Sequence, residues 1–276
     1  HDVPGFTINK KIAEGACAEI FSAVDQSNGK LVALKLLHRR HLANRAEYKR
    51  LQDEGALGLK LGQNDNIVQM YMVAAVDDLP FVVMELVSGR TLREHLNAKQ
   101  VFDNLGVLRL AKGLARGLRF LHNAGYSHRD LKPDNIMINE RGQVKIIDLG
   151  FAESYNSFRL FGRSLDGSLP YMAPELLSSK KSSPATDIYA LGCTLYEAAT
   201  GVQPFSGMSD QETIAIQTNF KILAPAVQPR NASITAVTEK LVMTALQKDS
   251  AKRFKSADEV LLELARDVGG QRIDVP

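Results

Sequence analysis

Short apolar-rich runs separated by turn chemistry open the chain. Phe6–Ala13 and Glu19–Val24 read as strands. Gln26-Ser27-Asn28-Gly29-Lys30 then carries the Asn-Gly signature of a hairpin turn into Leu31–Leu37. A basic run, His38-Arg39-Arg40-His41, precedes a charged stretch of helical character over Arg45–Leu61. Strand-like segments return at Ile67–Val76 and Phe81–Leu86. From Thr91 the period becomes helical. Leu108, Ala111, Ala115, Leu118 and Leu121 recur at three- and four-residue spacing within Leu105–His122, an apolar stripe. Ile188, Leu191, Leu195 and Ala199 repeat the pattern within Asp187–Thr200. Ser256-Ala257-Asp258-Glu259 has the form of a capping box ahead of Val260, Leu261, Leu262, Leu264 and Ala265, which predicts a helix start.

Strands with one helix, followed by mostly helices, predict an α+β domain of two lobes. The expected division of residues 1–276 is a sheet lobe over 6–86, a hinge at 87–90 and a helical lobe over 91–268. A ligand between the lobes is expected.

Composition narrows the class. With 45% apolar and 24% charged residues, the chain can bury a sizeable core and has no disorder signature. A net charge of +3 is too small to argue for nucleic-acid binding. The two cysteines, Cys17 and Cys193, lack CxxC spacing, which speaks against a disulfide framework or zinc cluster and for a reducing compartment. Apolar runs such as Met70–Val76 are too short to span a bilayer, so no membrane contact by this domain is expected. The opening His1-Asp2-Val3-Pro4-Gly5 is neither a signal peptide nor an initiator methionine. The chain therefore reads as a fragment, cytoplasmic or the cytosolic part of a larger, membrane-anchored protein.

The chemistry concentrates in His128-Arg129-Asp130-Leu131-Lys132-Pro133-Asp134-Asn135. Asp130 can orient a hydroxyl and accept its proton, and Lys132 can neutralise a transferring phosphoryl group. The Asn135 carbonyl is a hard ligand suited to Mg²⁺. Further on, Val144-Lys145-Ile146-Ile147-Asp148-Leu149-Gly150 is a β-like run ending in a second metal-binding candidate, Asp148.

These segments resemble the catalytic loop and the metal-binding DFG segment of protein kinases of the serine/threonine type. Val32-Ala33-Leu34-Lys35 resembles the VAIK strand, whose lysine grips phosphates. Ala173-Pro174-Glu175 is similar to the APE motif, and Gly167–Met172 to the substrate-docking segment before it. Asp187 resembles the aspartate that braces the catalytic loop, and Arg253 the arginine that pairs with the APE glutamate. The resemblance implies ATP and Mg²⁺ (or Mn²⁺) as cofactors and a protein carrying a Ser or Thr acceptor as substrate. It implies Asn135 and Asp148 as metal ligands. It also implies autophosphorylation, with a homodimer as the candidate arrangement for it.

The loop expected to cover ATP departs from the family pattern. Ala13-Glu14-Gly15-Ala16-Cys17-Ala18-Glu19-Ile20 keeps one glycine, and alanine is disfavoured wherever φ must be positive. Cys17 reads equally as a reactive thiol or an inert small side chain. For the partner of Lys35, Glu54 stands first, with Glu47 as a rival and with Gly55 and Gly58 flanking Glu54 and counting against it. The resemblance further implies Met84 as gatekeeper, with Glu85 and Val87 in the hinge that bonds adenine. It puts Ile12, Ile20, Ala33 and Met137 around the ring. His128 is expected to be structural, and the other histidines to lie on the surface or in loops. Arg129 implies a phosphorylated activation loop, with Ser164 and Ser168 as phosphosite candidates. Rival readings are a pseudokinase, supported by the degraded glycine loop alone, and a small-molecule kinase. The lysine at position 132 and the APE segment count against the latter.

Overall fold

The computed structural model describes residues 2–155, 168–179 and 182–267. The chain forms two compact units, His1–Ser88 with Ile147–Phe151, and Gly89–Ile146 with Ala152–Pro276. Among the described residues no helix is long and apolar enough to cross a membrane.

The first unit is an antiparallel sheet of β1 (Phe6–Glu14), β2 (Ala18–Asp25), β3 (Leu31–Leu37), β4 (Met70–Val76) and β5 (Leu79–Glu85), with α1 (Arg45–Leu61) between β3 and β4. The strand order is β1-β2-β3-β5-β4. The Asp25 carboxylate holds the turn after β2, accepting from Ser27 N–H at 2.9 Å and Asn28 Nδ2 at 2.8 Å. Gly29 takes the left-handed position there, with φ 72°. Ile67 and Val68 enter the core ahead of the ladder, so β4 starts at Met70. At the next hairpin Asp77 and Asp78 both have positive φ, the primed geometry of a two-residue turn, so β5 starts at Leu79.

Asn44 caps α1, its side chain accepting from Ala46 N–H at 3.1 Å. Gly55 and Gly58 are poor helix formers, and packing explains both. A Cβ on Gly55 would lie 2.3 Å from Val73 Cγ2, and one on Gly58 would lie 2.1 Å from Met70 Cγ. The bare glycine backbone lets α1 lie directly on the sheet.

The second unit begins with β6 (Gly89–Thr91), α2 (Leu92–Asn97) and α3 (Asn104–Asn123). Short strands follow: β7 (Tyr126–Ser127), β8 (Ile136–Asn139), β9 (Val144–Ile146) and β10 (Glu153–Ser154). It ends with α4 (Pro174–Ser179), α5 (Pro184–Thr200), α6 (Asp210–Thr218), α7 (Ala236–Ala245) and α8 (Ala257–Asp267). The apolar stripe of α3 is buried, but α5 departs from the expected one-sided pattern. Every residue from Thr186 to Ala199 is buried, Asp187, Thr194 and Glu197 included. It is a central helix rather than a surface one. Gly192 makes this packing close, since a Cβ there would sit 2.9 Å from the Ala245 and Leu246 backbone. The capping box of α8 is displaced. Ser256 Oγ accepts from Glu259 N–H at 3.3 Å, but Glu259 reaches back to Lys255 N–H at 2.8 Å.

Candidate active site

In the first unit, β3 and α1 bring Lys35 and Glu54 together. Lys35 Nζ lies 2.7 Å from each Glu54 oxygen and 3.4 Å from Asp148 Oδ1. Glu47 is elsewhere, paired with Arg50. Asp148 Oδ1 also accepts from Gly150 N–H at 2.8 Å. Glycine is needed at 150 because a Cβ would stand 3.0 Å from that oxygen and 3.3 Å from Glu54 Oε2. Burial would lower Lys35, but the Asp148 and Glu54 charges outweigh it and hold the ammonium above its ordinary range. Burial pushes Glu54 up to about 7 against the pull of Lys35, and Asp148 adds to the rise.

The β1–β2 turn carries Ala13 to Ala18 without left-handed backbone at any alanine. The conformational penalty expected for Ala13 and Ala18 is therefore absent, since neither needs positive φ. Glu14, Gly15 and Ala16 are exposed, Cys17 and Ile20 are half-buried, and Ile12 is 43% exposed. Ala33 and Met84 are paired across β3 and β5 and both are buried. Glu85 N–H is taken by Gln69 O at 2.8 Å. Val87 follows β5 and is half-buried.

In the second unit the catalytic-loop segment hangs from Asp187 on α5. The Asp187 carboxylate accepts from His128 N–H at 2.8 Å, Arg129 N–H at 2.9 Å and His122 Nε2 at 2.8 Å. Burial pushes this carboxyl up, yet the hydrogen bonds and charge from the His122 side prevail and hold it below the usual carboxylate range. The brace matters because Arg129 has φ 68°, a left-handed conformation that costs a non-glycine residue about 1–3 kcal/mol.

Asp130 is then ringed by donors. Ser168 Oγ donates to Oδ1 at 2.6 Å, and Lys132 Nζ lies 3.0 Å from Oδ2. Asn135 Nδ2 donates to Asp130 O at 2.8 Å and to Oδ2 at 2.9 Å. Lys132 also donates to Ser168 Oγ at 2.8 Å. Met137 is half-buried on β8, opposite Thr91 of β6. Ser164 lies outside the described residues.

Several groups escaped the sequence reading. His38 and His122, expected on the surface or in loops, have side chains only 10% and 7% exposed because each ring bonds into the fold. Arg93 links Glu197 at 2.7 Å, Tyr171 Oη at 2.6 Å and Asp134 at 3.3 Å, tying the docking segment to α5. Arg129 pairs with Glu153. The pairing expected of Arg253 is present: its Nη1 donates to Glu175 at 2.7 Å from a fully buried side chain. Ser168 reads as part of the docking segment and as a phosphosite candidate. Its position two residues ahead of Pro170-Tyr171 gave no signal of a hydrogen bond to Asp130 across 38 residues.

A family model described as protein kinase domain matches residues 6–263. The chain is 32% identical over 258 residues to a probable serine/threonine-protein kinase of Clostridium perfringens, covering 92% of this chain and 37% of that protein. It is 32% identical over 277 residues to a probable serine/threonine-protein kinase PknB of Corynebacterium glutamicum, covering 95% and 42% respectively. It is 29% identical over 270 residues to the serine/threonine-protein kinase PrkC of Bacillus subtilis, covering 98% and 41%. The chain spans less than half the length of each of these curated relatives. It belongs to the protein kinase domain family, which implies ATP, a divalent cation and a protein substrate.

Proposed function

We propose that this domain transfers the γ-phosphoryl group of ATP to serine and threonine hydroxyls of proteins. One observation supports it above the others. Asp130 and Lys132 already converge on one serine hydroxyl, that of Ser168, at 2.6 and 2.8 Å. A substrate hydroxyl would need the same pair: a carboxylate to orient it and accept its proton, and a cation beside it for the charge that develops.

In the first unit, Glu54 aims the Lys35 ammonium for the α- and β-phosphates, and the Gly15 turn covers them. Ala33, Met84 and Ile20 are the apolar neighbours for adenine, with the Glu85–Val87 backbone as its hydrogen-bonding edge. The donor set suits a hard divalent cation. Asp148 is a carboxylate, and Asn135 spends its amide N–H groups on Asp130, which leaves the carbonyl oxygen for a ligand. Asp148 and Asn135 would hold Mg²⁺ (or Mn²⁺), which neutralises phosphate charge and orients ATP. The pseudokinase alternative loses its support, because the alanines of the β1–β2 turn sit in ordinary backbone.

The same reading makes the domain the cytoplasmic catalytic part of a longer protein, acting on other proteins and on second copies of itself. Incubation with labelled ATP, Mg²⁺ and a generic acceptor protein should yield phosphoserine or phosphothreonine. Nucleotide-dependent thermal stabilisation without any transfer would contradict the activity and favour a binding module.

A further inference from the structure

The basic run His38-Arg39-Arg40-His41 has no part in phosphoryl transfer, yet it holds the β1–β2 turn by three consecutive carbonyls. His38 N–H donates to Cys17 O at 2.8 Å, one rung beyond the β2–β3 ladder. Its ring Nε2 donates to Gly15 O at 2.9 Å. Arg40 Nη2 donates to Ala16 O at 3.1 Å, and His41 Nε2 lies 3.2 Å from the same oxygen.

The turn gives a reason for this external support. Gly15 N–H on Ala18 O, at 2.8 Å, closes it around Ala16 and Cys17. Two-residue hairpins prefer primed turns, which need positive φ at the first central residue. Neither Ala16 nor Cys17 has it. Backbone preference alone therefore does not fix this turn, and the His38–His41 run supplies what is missing.

The consequence is directional. A trans peptide sets its N–H antiparallel to its own C=O. Holding Gly15 O and Ala16 O on the basic run turns the N–H groups of Ala16 and Cys17 the opposite way. It also keeps two carbonyl oxygens, which repel phosphate, occupied on protein donors. Successive N–H groups presented from one loop make an anion-binding concavity.

We propose that His38, Arg40 and His41 are positioning residues that aim the β1–β2 turn's N–H groups at the phosphates of ATP, in place of the glycines this loop lacks. The proposal rests on the reading that this turn covers ATP.

The test compares Mg-ATP with adenosine, which lacks phosphates, by calorimetry on the whole domain. His38→Ala should weaken Mg-ATP about fivefold, the scale of one lost hydrogen bond, and leave adenosine unchanged. The KM for ATP should rise by the same factor, with kcat within about twofold. His38→Gln, which restores a donor at the Nε2 position, should recover wild-type affinity. Arg40→Ala/His41→Ala, at positions less buried than His38, should act in the same direction without loss of folding. Equal weakening of ATP and adenosine, or no change in ATP affinity, overturns the proposal. A wild-type domain that binds neither ligand instead overturns the nucleotide reading, and this proposal with it.

Discussion

Lys35 and Glu54 form a two-pronged ion pair, the ammonium 2.7 Å from each carboxylate oxygen, with the Glu54 side chain only 2% exposed. Neither partner is comfortable alone in such a site, because a buried charge left uncompensated costs several kcal/mol.

Glu54→Gln keeps the shape and removes the charge. We expect kcat/KM for ATP to fall about a hundredfold, close to 3 kcal/mol of lost positioning. Its pH signature is separate. Burial raises Glu54 from 4.5 to about 7, so the stability tied to its proton is full below pH 4.5 and lost as pH rises through about 7. Urea titrations at pH 5 and pH 8 should show a larger drop for wild type than for Glu54→Gln. Identical drops would contradict the raised carboxyl.

Gly58→Ala distinguishes helix propensity from packing. Propensity alone would make alanine stabilising by about 1 kcal/mol in α1. The Cβ, however, would meet Met70 Cγ at 2.1 Å and Met70 Cβ at 2.9 Å. We expect destabilisation of about 1–3 kcal/mol by chemical denaturation. A stabilised variant would mean that α1 does not lie this close to the sheet.

Asp187→Asn attacks the brace of the catalytic loop. Three donors converge on this carboxylate, and an amide would turn an N–H group toward at least one of them. Arg129 would then relax from its left-handed backbone. Stability should fall by about 3–5 kcal/mol in urea, and kcat by about tenfold or more, with ATP affinity little changed. In wild type, the contribution of Asp187 is present above the ordinary carboxyl range and lost as pH falls through its lower folded value. Unchanged stability and kcat would remove Asp187 from this role.

Much of this is legible in the sequence alone. Asp130, Lys132 and Asn135 lie within one short segment, where residue type and spacing carry the chemistry. The period change near Thr91 likewise separated strands from helices. What escaped depends on pairs far apart in the chain. His122 reads as a surface or loop histidine until Asp187, 65 residues later, accepts from it. Arg93 carries no signal in the sequence, because its partner Glu197 lies 104 residues away. Gly55 and Gly58 count against Glu54 because the sequence does not show the sheet that needs them bare. The stripe of α5 hid its polar residues' burial for the same reason: periodicity describes one face, while neighbours decide how many faces are covered.

The central claim is that Asp130 orients and deprotonates a protein hydroxyl. Single-turnover transfer from labelled Mg-ATP, wild type beside Asp130→Asn, measures that step separately from nucleotide binding. We predict a loss of at least about a hundredfold in the transfer rate, with ATP affinity within about twofold of wild type. Equal transfer rates in the two proteins would contradict it.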